Sequence, residues 1–461
     1  MQTSGQGLKR DLKERHIQLI AIGGAIGVGL FLGSSVAIRT AGPALMLSYL
    51  VGGLAILVVM RALGELAVAD PVSGSFGTYA YKFLGPLAGY ITGWTYWFMW
   101  IVTCMAEITA AGIYMTYWFP DSPQWAWALA ALIIMTLVNM VSVKAYGEFE
   151  FWFALIKVIT ILAMIVIGGA MILFGIGNGG VPIGFSNLYM HGGFFAKGFT
   201  GPVLALTMVA FAYLGVELIG VTAGEAENPQ KTIPSAINKV FWRILIFYIG
   251  ALFVIMCLFP WNEIGTHGSP FVLTFQKIGI PTAAGIINFV VLTAALSSCN
   301  SGIYSNGRML YNLALQKKAP KQFAVINTSG VPLTGVIVSS LFLLLGVALN
   351  YILPEKVFVY VTSVATVAAI WVWSVILLCQ IQFRKKLSPS EVKDLKYPMF
   401  WWPLASYLAL AFLALVLVMQ GVSEDTRVAL YVAPVWFGLI IGSYYFLGFE
   451  KDDKQMTLEE E

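Results

Sequence analysis

Three ionisable side chains, Glu107, Lys157 and Glu217, stand inside long apolar stretches of the chain. At the centre of a bilayer such a group costs about 2.5–3.5 kcal/mol on insertion scales, so one that is kept there is a candidate for function. Lys157 lies about eight residues into its stretch, roughly 12 Å from the nearer surface at 1.5 Å per residue. Its four-carbon stem can snorkel much of that distance. Alternatively the ammonium is desolvated and titrates during a working cycle. Glu107 reads either as a proton-coupling acid or as a protonated or paired carboxyl bonded to a neighbouring helix. Glu217 follows a glycine, and an acid beside an interrupted helix can simply accept from freed backbone N–H groups. Arg61 and Glu65, four apart near the end of one apolar stretch, read as an interfacial pair on a single helix face.

Other chemistries lack their residues. His16, His191 and His267 fall in polar or loop regions, the seven Asp lie in loops, termini or at segment ends, and no G-x-x-x-x-G-K-[ST] phosphate loop occurs. Neither a membrane enzyme nor an ATP-driven pump made of this chain alone is indicated, and no cofactor or metal is called for. Cys104, Cys257, Cys299 and Cys379 lie in apolar stretches without CxxC spacing and read as small buried hydrophobes.

Two apolar segments carry glycine clusters near their middles. The first reads Gly23-Gly24-Ala25-Ile26-Gly27-Val28-Gly29-Leu30-Phe31, and the sixth reads Phe211-Ala212-Tyr213-Leu214-Gly215-Val216-Glu217-Leu218-Ile219-Gly220. Glycine is poor in a helix interior and tolerates angles other residues avoid, so each run predicts an unwinding point. Close small-xxx-small packing through Gly23 and Gly27 is the alternative. Gly27-Val28-Gly29-Leu30 recurs as Gly215-Val216-Glu217-Leu218 five segments later. Segments an odd number apart cross a membrane in opposite senses, so segments 1–5 and 6–10 fit an inverted repeat with two more helices appended. An unwound segment bares N–H groups that attract a carboxylate and carbonyls that accept from an ammonium. Two facing breaks match the zwitterionic end of an amino acid without needing charged side chains.

These residues need elements to hold them, and composition says which. Of 461 residues 59% are hydrophobic and 11% charged, with mean hydropathy +0.81. A soluble domain is about half apolar and a quarter charged, so the chain reads as an integral membrane protein. The net charge of +4 is too small and dispersed for nucleic acid. At about 20 apolar residues per crossing, the chain divides into twelve segments: 17–39, 42–68, 85–119, 124–143, 149–175, 200–224, 238–259, 281–312, 332–351, 356–382, 403–420 and 427–448. The first has no suitably placed cleavage site and reads as a retained helix rather than a signal peptide. Alternating the segments across the bilayer puts 21 Lys and Arg on the side of the N-terminus and 5 on the other, with Lys157 set aside. Both termini are therefore expected in the cytoplasm. There is no repeated filter sequence or basic voltage-sensing helix, which disfavours a channel.

The order of motifs is similar to a known family. Leu12 to Gly33 with its Gly-Gly-Ala-Ile-Gly core, Ala41-Gly42-Pro43, Met60-Arg61-Ala62-Leu63-Gly64-Glu65, Gly147-Glu148-Phe149-Glu150-Phe151-Trp152, Gly224-Glu225-Ala226-Glu227-Asn228-Pro229 and Pro260-Trp261-Asn262 resemble the bacterial amino acid transporter family of the amino acid–polyamine–organocation superfamily. The resemblance implies an all-α, LeuT-like fold of twelve transmembrane helices, five plus five in inverted repeat with two C-terminal helices, in the cytoplasmic membrane. Its parts would be an N-terminal segment 1–16, a transport core 17–382, helices 11 and 12 over 403–448 and a tail 449–461. It implies proton-coupled uptake of an amino acid, powered by the proton gradient, with the lipid bilayer and protons as partners. Carried over by position, Ala25, Ile26, Gly27, Val28 and Gly29 resemble the substrate-binding backbone, and Phe211 looks like an aromatic gate flanked by Ala212, Leu214 and Gly215. Lys157 resembles the fifth-helix lysine of related transporters, and Glu107 an acidic third-helix position, both assigned to proton coupling. Met105, Thr109, Asn300 and Ser301 are further pocket candidates, and Glu217 a structural one. The likeness leans towards small neutral substrates such as alanine, serine, threonine or glycine, with aromatic amino acids, exchange and sodium coupling as rivals.

Overall fold

The computed structural model describes residues 26–72, 75–141, 143–221, 228–264, 268–277 and 281–450. Gly23, Gly24 and Ala25, the N-terminal segment and the end of the C-terminal tail lie outside them. The described residues form helices and no strand. In chain order these are α1 (Val28–Phe31), α2 (Gly33–Ala41), α3 (Leu45–Ala69), α4 (Ser75–Leu84), α5 (Pro86–Met115), α6 (Gln124–Val141), α7 (Val143–Phe174), α8 (Thr200–Ala212), α9 (Leu218–Val221), α10 (Pro229–Arg243), α11 (Ala251–Leu258), α12 (Pro270–Lys277), α13 (Pro281–Leu315), α14 (Leu333–Ile352), α15 (Val357–Lys386), α16 (Pro389–Lys393), α17 (Leu404–Val422) and α18 (Glu424–Phe446). A π-helical turn, Ile244–Gly250, joins α10 to α11, so the predicted segment 238–259 begins earlier and contains a distortion. The helices α4 and α12 were not foreseen, being too short and too polar to register as crossings.

Among the described residues ten helical stretches are long and apolar enough to cross a membrane, Gly33–Ala69 counting as one. Local chemistry sets several ends. Gly85 turns the chain at φ +99° and Pro86 opens α5, where its missing N–H would have no partner anyway. Ser388 and Glu391 form a reciprocal capping box at the start of α16.

Burial sorts the bundle into inner and outer helices. The most apolar windows of α5 and α15 are 83% and 78% buried, whereas that of α18 is 17% buried. Thus α5 and α15 form the centre, with α13 packed extensively on α5. The outer faces of α17 and α18 keep Leu408, Val418, Tyr431, Val435 and Leu439 exposed, as helices in contact with lipid must. All four cysteines are buried free thiols.

Glu65 corrects the sequence reading. It does not pair with Arg61. It is buried and takes a two-pronged bond from Arg384 of α15, Nε–Oε1 2.6 Å and Nη2–Oε2 3.0 Å. Gln380 Nε2 donates to it at 3.1 Å and the Met399 N–H also donates. Arg61 instead grips the Pro398 carbonyl with Nε at 2.9 Å and Nη2 at 2.7 Å, and stacks 3.5 Å over the Tyr397 ring. Two charges spaced for each other along one helix both find better partners elsewhere, because a fork donor matches a carboxylate bidentately and an exposed i,i+4 pair is worth only about 0.3–0.5 kcal/mol.

Candidate substrate site

Among the described residues both glycine-rich segments contain backbone that leaves the helix. In the first, α1 is one turn, capped at Gly27 in an extended conformation and separated from α2 at Leu32. In the sixth, α8 stops at Ala212 and helix resumes at Leu218. Gly215 lies between them at φ +95°, a conformation that a side chain would strain. Tyr248 hydroxyl donates to the Ala212 carbonyl at 2.9 Å, and Tyr213 hydroxyl to the Tyr49 carbonyl at 2.7 Å. These bonds occupy a carbonyl freed by the break and tie the turn to α3.

Glu217 acts locally. Its Oε2 accepts from the Gly215 N–H at 3.2 Å and from Trp373 Nε1 at 3.4 Å. The acid therefore satisfies the interrupted backbone from within, the plainer of its two readings.

The two breaks touch through their backbones. A Cβ added at Gly29 would stand 2.5 Å from the Ala212 Cα, so only a glycine lets the chains approach so closely. A Cβ on Gly27 would meet Glu107 Oε1 at 2.7 Å. Around this crossing lies a cavity lined by Gly27, Gly29, Trp100, Thr103, Glu107, Phe211, Ala212, Leu214 and Ser298. Its interior volume is about 10 Å³, enough for about one water. An amino acid enters only if the surrounding side chains or helices move. Phe211 lines the cavity and meets Phe358 edge to face at 6.4 Å. Among the described residues Trp100 Nε1 and Glu107 Oε2 are buried with no hydrogen-bond partner, a state costing about 1–3 kcal/mol per group that a polar ligand relieves.

Lys157 is wholly buried, and its Nζ donates to the Ile26 carbonyl at 3.1 Å. Snorkelling is thereby overturned: the side chain turns inward to the first break rather than out to the surface. The carboxyls whose charge acts on it are Glu150 and Glu107. Glu107 in turn is bonded by Ser298 and by the Val28 backbone.

The remaining candidates sit off the cavity lining. Ile26 contributes its carbonyl to Lys157, and Val28 its backbone to Glu107. Gly215 shapes the second break. Thr109 Oγ1 accepts from Asn350 Nδ2 at 2.8 Å, and Met105 packs on Gly346, so both face α14. Asn300 Oδ1 accepts from Asn139 Nδ2 at 2.8 Å, and Ser301 bonds Glu150. Ala25 lies outside the described residues. Trp100, Thr103 and Ser298 were missed, though helical phase could have found two of them. Positions 100, 103 and 107 share one face, whereas 105 and 109 are about 200° of rotation from 107, at about 100° per residue. Glu150 was also missed. The sequence put it at a segment edge; the structure buries it.

A multi-crossing helical bundle whose small polar cavity sits where two broken helices meet defines a membrane carrier. A family model described as amino acid permease matches residues 16–455, and the chain belongs to that family. It is 61% identical over 459 residues to a Bacillus subtilis protein named uncharacterized amino acid permease YtnA, covering 100% of this chain and 99% of that one. It is 52% identical over 444 residues to the probable threonine/serine transporter YbxG of the same organism, covering 96% of each. The amino-acid permease AapA, also from Bacillus subtilis, is 50% identical over 439 residues, covering 95% of each.

Proposed function

We propose that this permease carries small neutral amino acids, with serine, threonine, alanine and glycine as the substrate class, into the cell together with protons. The carrying observation is the Lys157 Nζ bond to the Ile26 carbonyl. Among the described residues Lys157 is the one lysine with no exposure, and this bond holds it against the backbone that, in this reading, receives the substrate. A charged ammonium holds that carbonyl; a neutral amine holds it less tightly. The protonation of Lys157 thus biases whether the break is closed or free to rearrange, which couples the two accessible states to the proton gradient.

Size and polarity support the substrate class. Gly27, Gly29 and Ala212 add little bulk to the lining, while Trp100 and Phe211 bring large rings to it. Trp100 Nε1 has no acceptor within hydrogen-bond distance among the described residues, and Thr103 also belongs to the lining. Both suit a substrate with a hydroxyl, in keeping with the relative named for threonine and serine. Glu107 also lines the cavity, but its carboxyl is engaged by Ser298 and the Val28 backbone and faces Lys157. The protein itself already supplies a cationic neighbour for this carboxyl, which favours a neutral over a cationic substrate. In this reading twelve helices cross the cytoplasmic membrane of the cell, the first ten as an inverted repeat, with both termini in the cytoplasm.

The test is uptake in proteoliposomes under an imposed pH gradient, with and without a protonophore. Wild type is expected to accumulate labelled serine or alanine in a protonophore-sensitive manner, with phenylalanine, lysine and arginine competing poorly. Lys157→Gln is expected to lose gradient-driven accumulation by at least about tenfold, the loss of roughly 1.4 kcal/mol of coupling. Sodium-dependent uptake indifferent to pH would remove the proton reading, and inhibition by arginine alone would remove the neutral one.

A further inference from the structure

One buried acid has no place in the scheme above. Glu150 belongs to the first turn of the apolar part of α7, stretch Glu150–Phe174, and is 3% exposed. It stands seven residues before Lys157, two helical turns, so both side chains lie on one face of α7 about 10 Å apart along the axis. Ser297 Oγ donates to its two carboxylate oxygens at 3.0 and 2.9 Å, and Ser301, one turn further along α13, bonds it as well. The neighbouring Ser298 bonds Glu107. Consecutive serines of α13 therefore hold two carboxyls, and Lys157 is the charge that acts on both.

We propose that Glu150 is the proton exit of the carrier, linking Lys157 to water at the end of the bundle where α7 begins. This rests on the proton-coupled reading of the previous subsection. In the step, Lys157 ammonium gives one proton to the Glu150 carboxylate, leaving a neutral amine and a carboxylic acid. Glu150 then releases that proton to water and returns to carboxylate. Lys157 regains a proton from the side of Glu107 and the substrate cavity, so one proton enters and one leaves per cycle. Serine hydroxyls suit both states of Glu150, since a hydroxyl can donate to a carboxylate and accept from an acid.

Among the described residues the elements packed on α7 bring few other titratable groups. α6 has no titratable side chain, α11 brings Cys257 and the π-helical turn brings Tyr248. α13 brings Cys299, Tyr304, Arg308 and Tyr311, with the Arg308 guanidinium seated over the Tyr304 ring at 4.0 Å. Among the described residues the charge of Lys157 acts on Glu150, and Glu150 and Glu107 act on Lys157.

The experiment compares wild type, Glu150→Gln, Glu150→Asp and Ser297→Ala in proteoliposomes at matched inserted protein. Two rates are read: accumulation driven by a pH gradient, and counterflow of labelled against unlabelled substrate, which needs no net proton movement. The expected result for Glu150→Gln is a loss of accumulation of tenfold or more with counterflow reduced less than threefold, and partial return of accumulation in Glu150→Asp. Accumulation by Glu150→Gln within twofold of wild type overturns the proposal, as does an equal fall of both rates. If Glu150→Gln does not insert, Ser297→Ala decides. Loss of a donor to the carboxylate is expected to move the pH midpoint of accumulation upwards, and an unchanged profile overturns the assignment. Wild type that ignores the gradient would instead sink the proton-coupled reading itself.

Discussion

At the scale of single residues the site depends on what is missing as much as on what is present. Gly29 and Ala212 meet at their main chains, so the two breaks can form one cavity instead of two separate kinks. Gly29→Ala forces a Cβ to within 2.5 Å of the Ala212 Cα. Overpacking of this kind costs about 1–3 kcal/mol, and it acts on the backbone that must rearrange. Uptake by Gly29→Ala is expected to fall about tenfold or more, while the amount of inserted protein changes little. Wild-type uptake kinetics in that variant would mean that the breaks do not touch when the carrier works. Glu217 teaches the opposite lesson. Bonded to the Gly215 N–H and to Trp373, it repairs the interruption and stands off the cavity lining.

At the scale of elements the ion pair between α3 and α15 is the main lock outside the cavity. Glu65 and Arg384 are both buried, and Gln380 joins them, itself accepting from Ser406 Oγ at 3.0 Å. The Met399 N–H bond adds the connection before α17 to the same cluster. Removing one partner of a buried pair leaves an uncompensated charge and costs about 3–5 kcal/mol, whereas replacing both can be close to neutral. Glu65→Gln is expected to lower the apparent melting temperature in detergent by several degrees, and Glu65→Gln with Arg384→Met to recover much of it. Additive losses in the double variant would show that the two side chains do not form a coupled unit.

At the scale of the whole molecule the distribution of basic residues predicts an orientation that can be tested. The bias of 21 against 5 predicts that a fluorescent reporter fused after Glu461 folds and glows in the cytoplasm, and that alkaline phosphatase fused there is inactive. Active phosphatase at that end would overturn the cytoplasmic C-terminus, through either an odd number of crossings or an inverted orientation. The layers agree with a bilayer solvent: α5 and α15 are buried at the centre, while α18 turns most of its apolar surface outward.

Much of this architecture could be read along the chain, because whether a segment crosses lipid depends on the sum of its own side chains, and whether it breaks depends on its own glycines. In the described parts of the segments over 17–39 and 200–224 the backbone leaves the helix within the glycine runs, at 26–27 and 213–217, and Glu107 and Phe211 line the cavity between them. What lies opposite each side chain is set by packing between distant parts of the sequence. Arg384 reaches Glu65 across 319 positions, and Lys157 reaches Ile26 across 131. No local pattern encodes those distances, so the choice of Arg384 over Arg61, the inward turn of Lys157 and the burial of Glu150 against Ser297 were decided only when the helices packed. A charge or hydroxyl in a water-poor interior takes whichever partner the fold brings within about 3 Å.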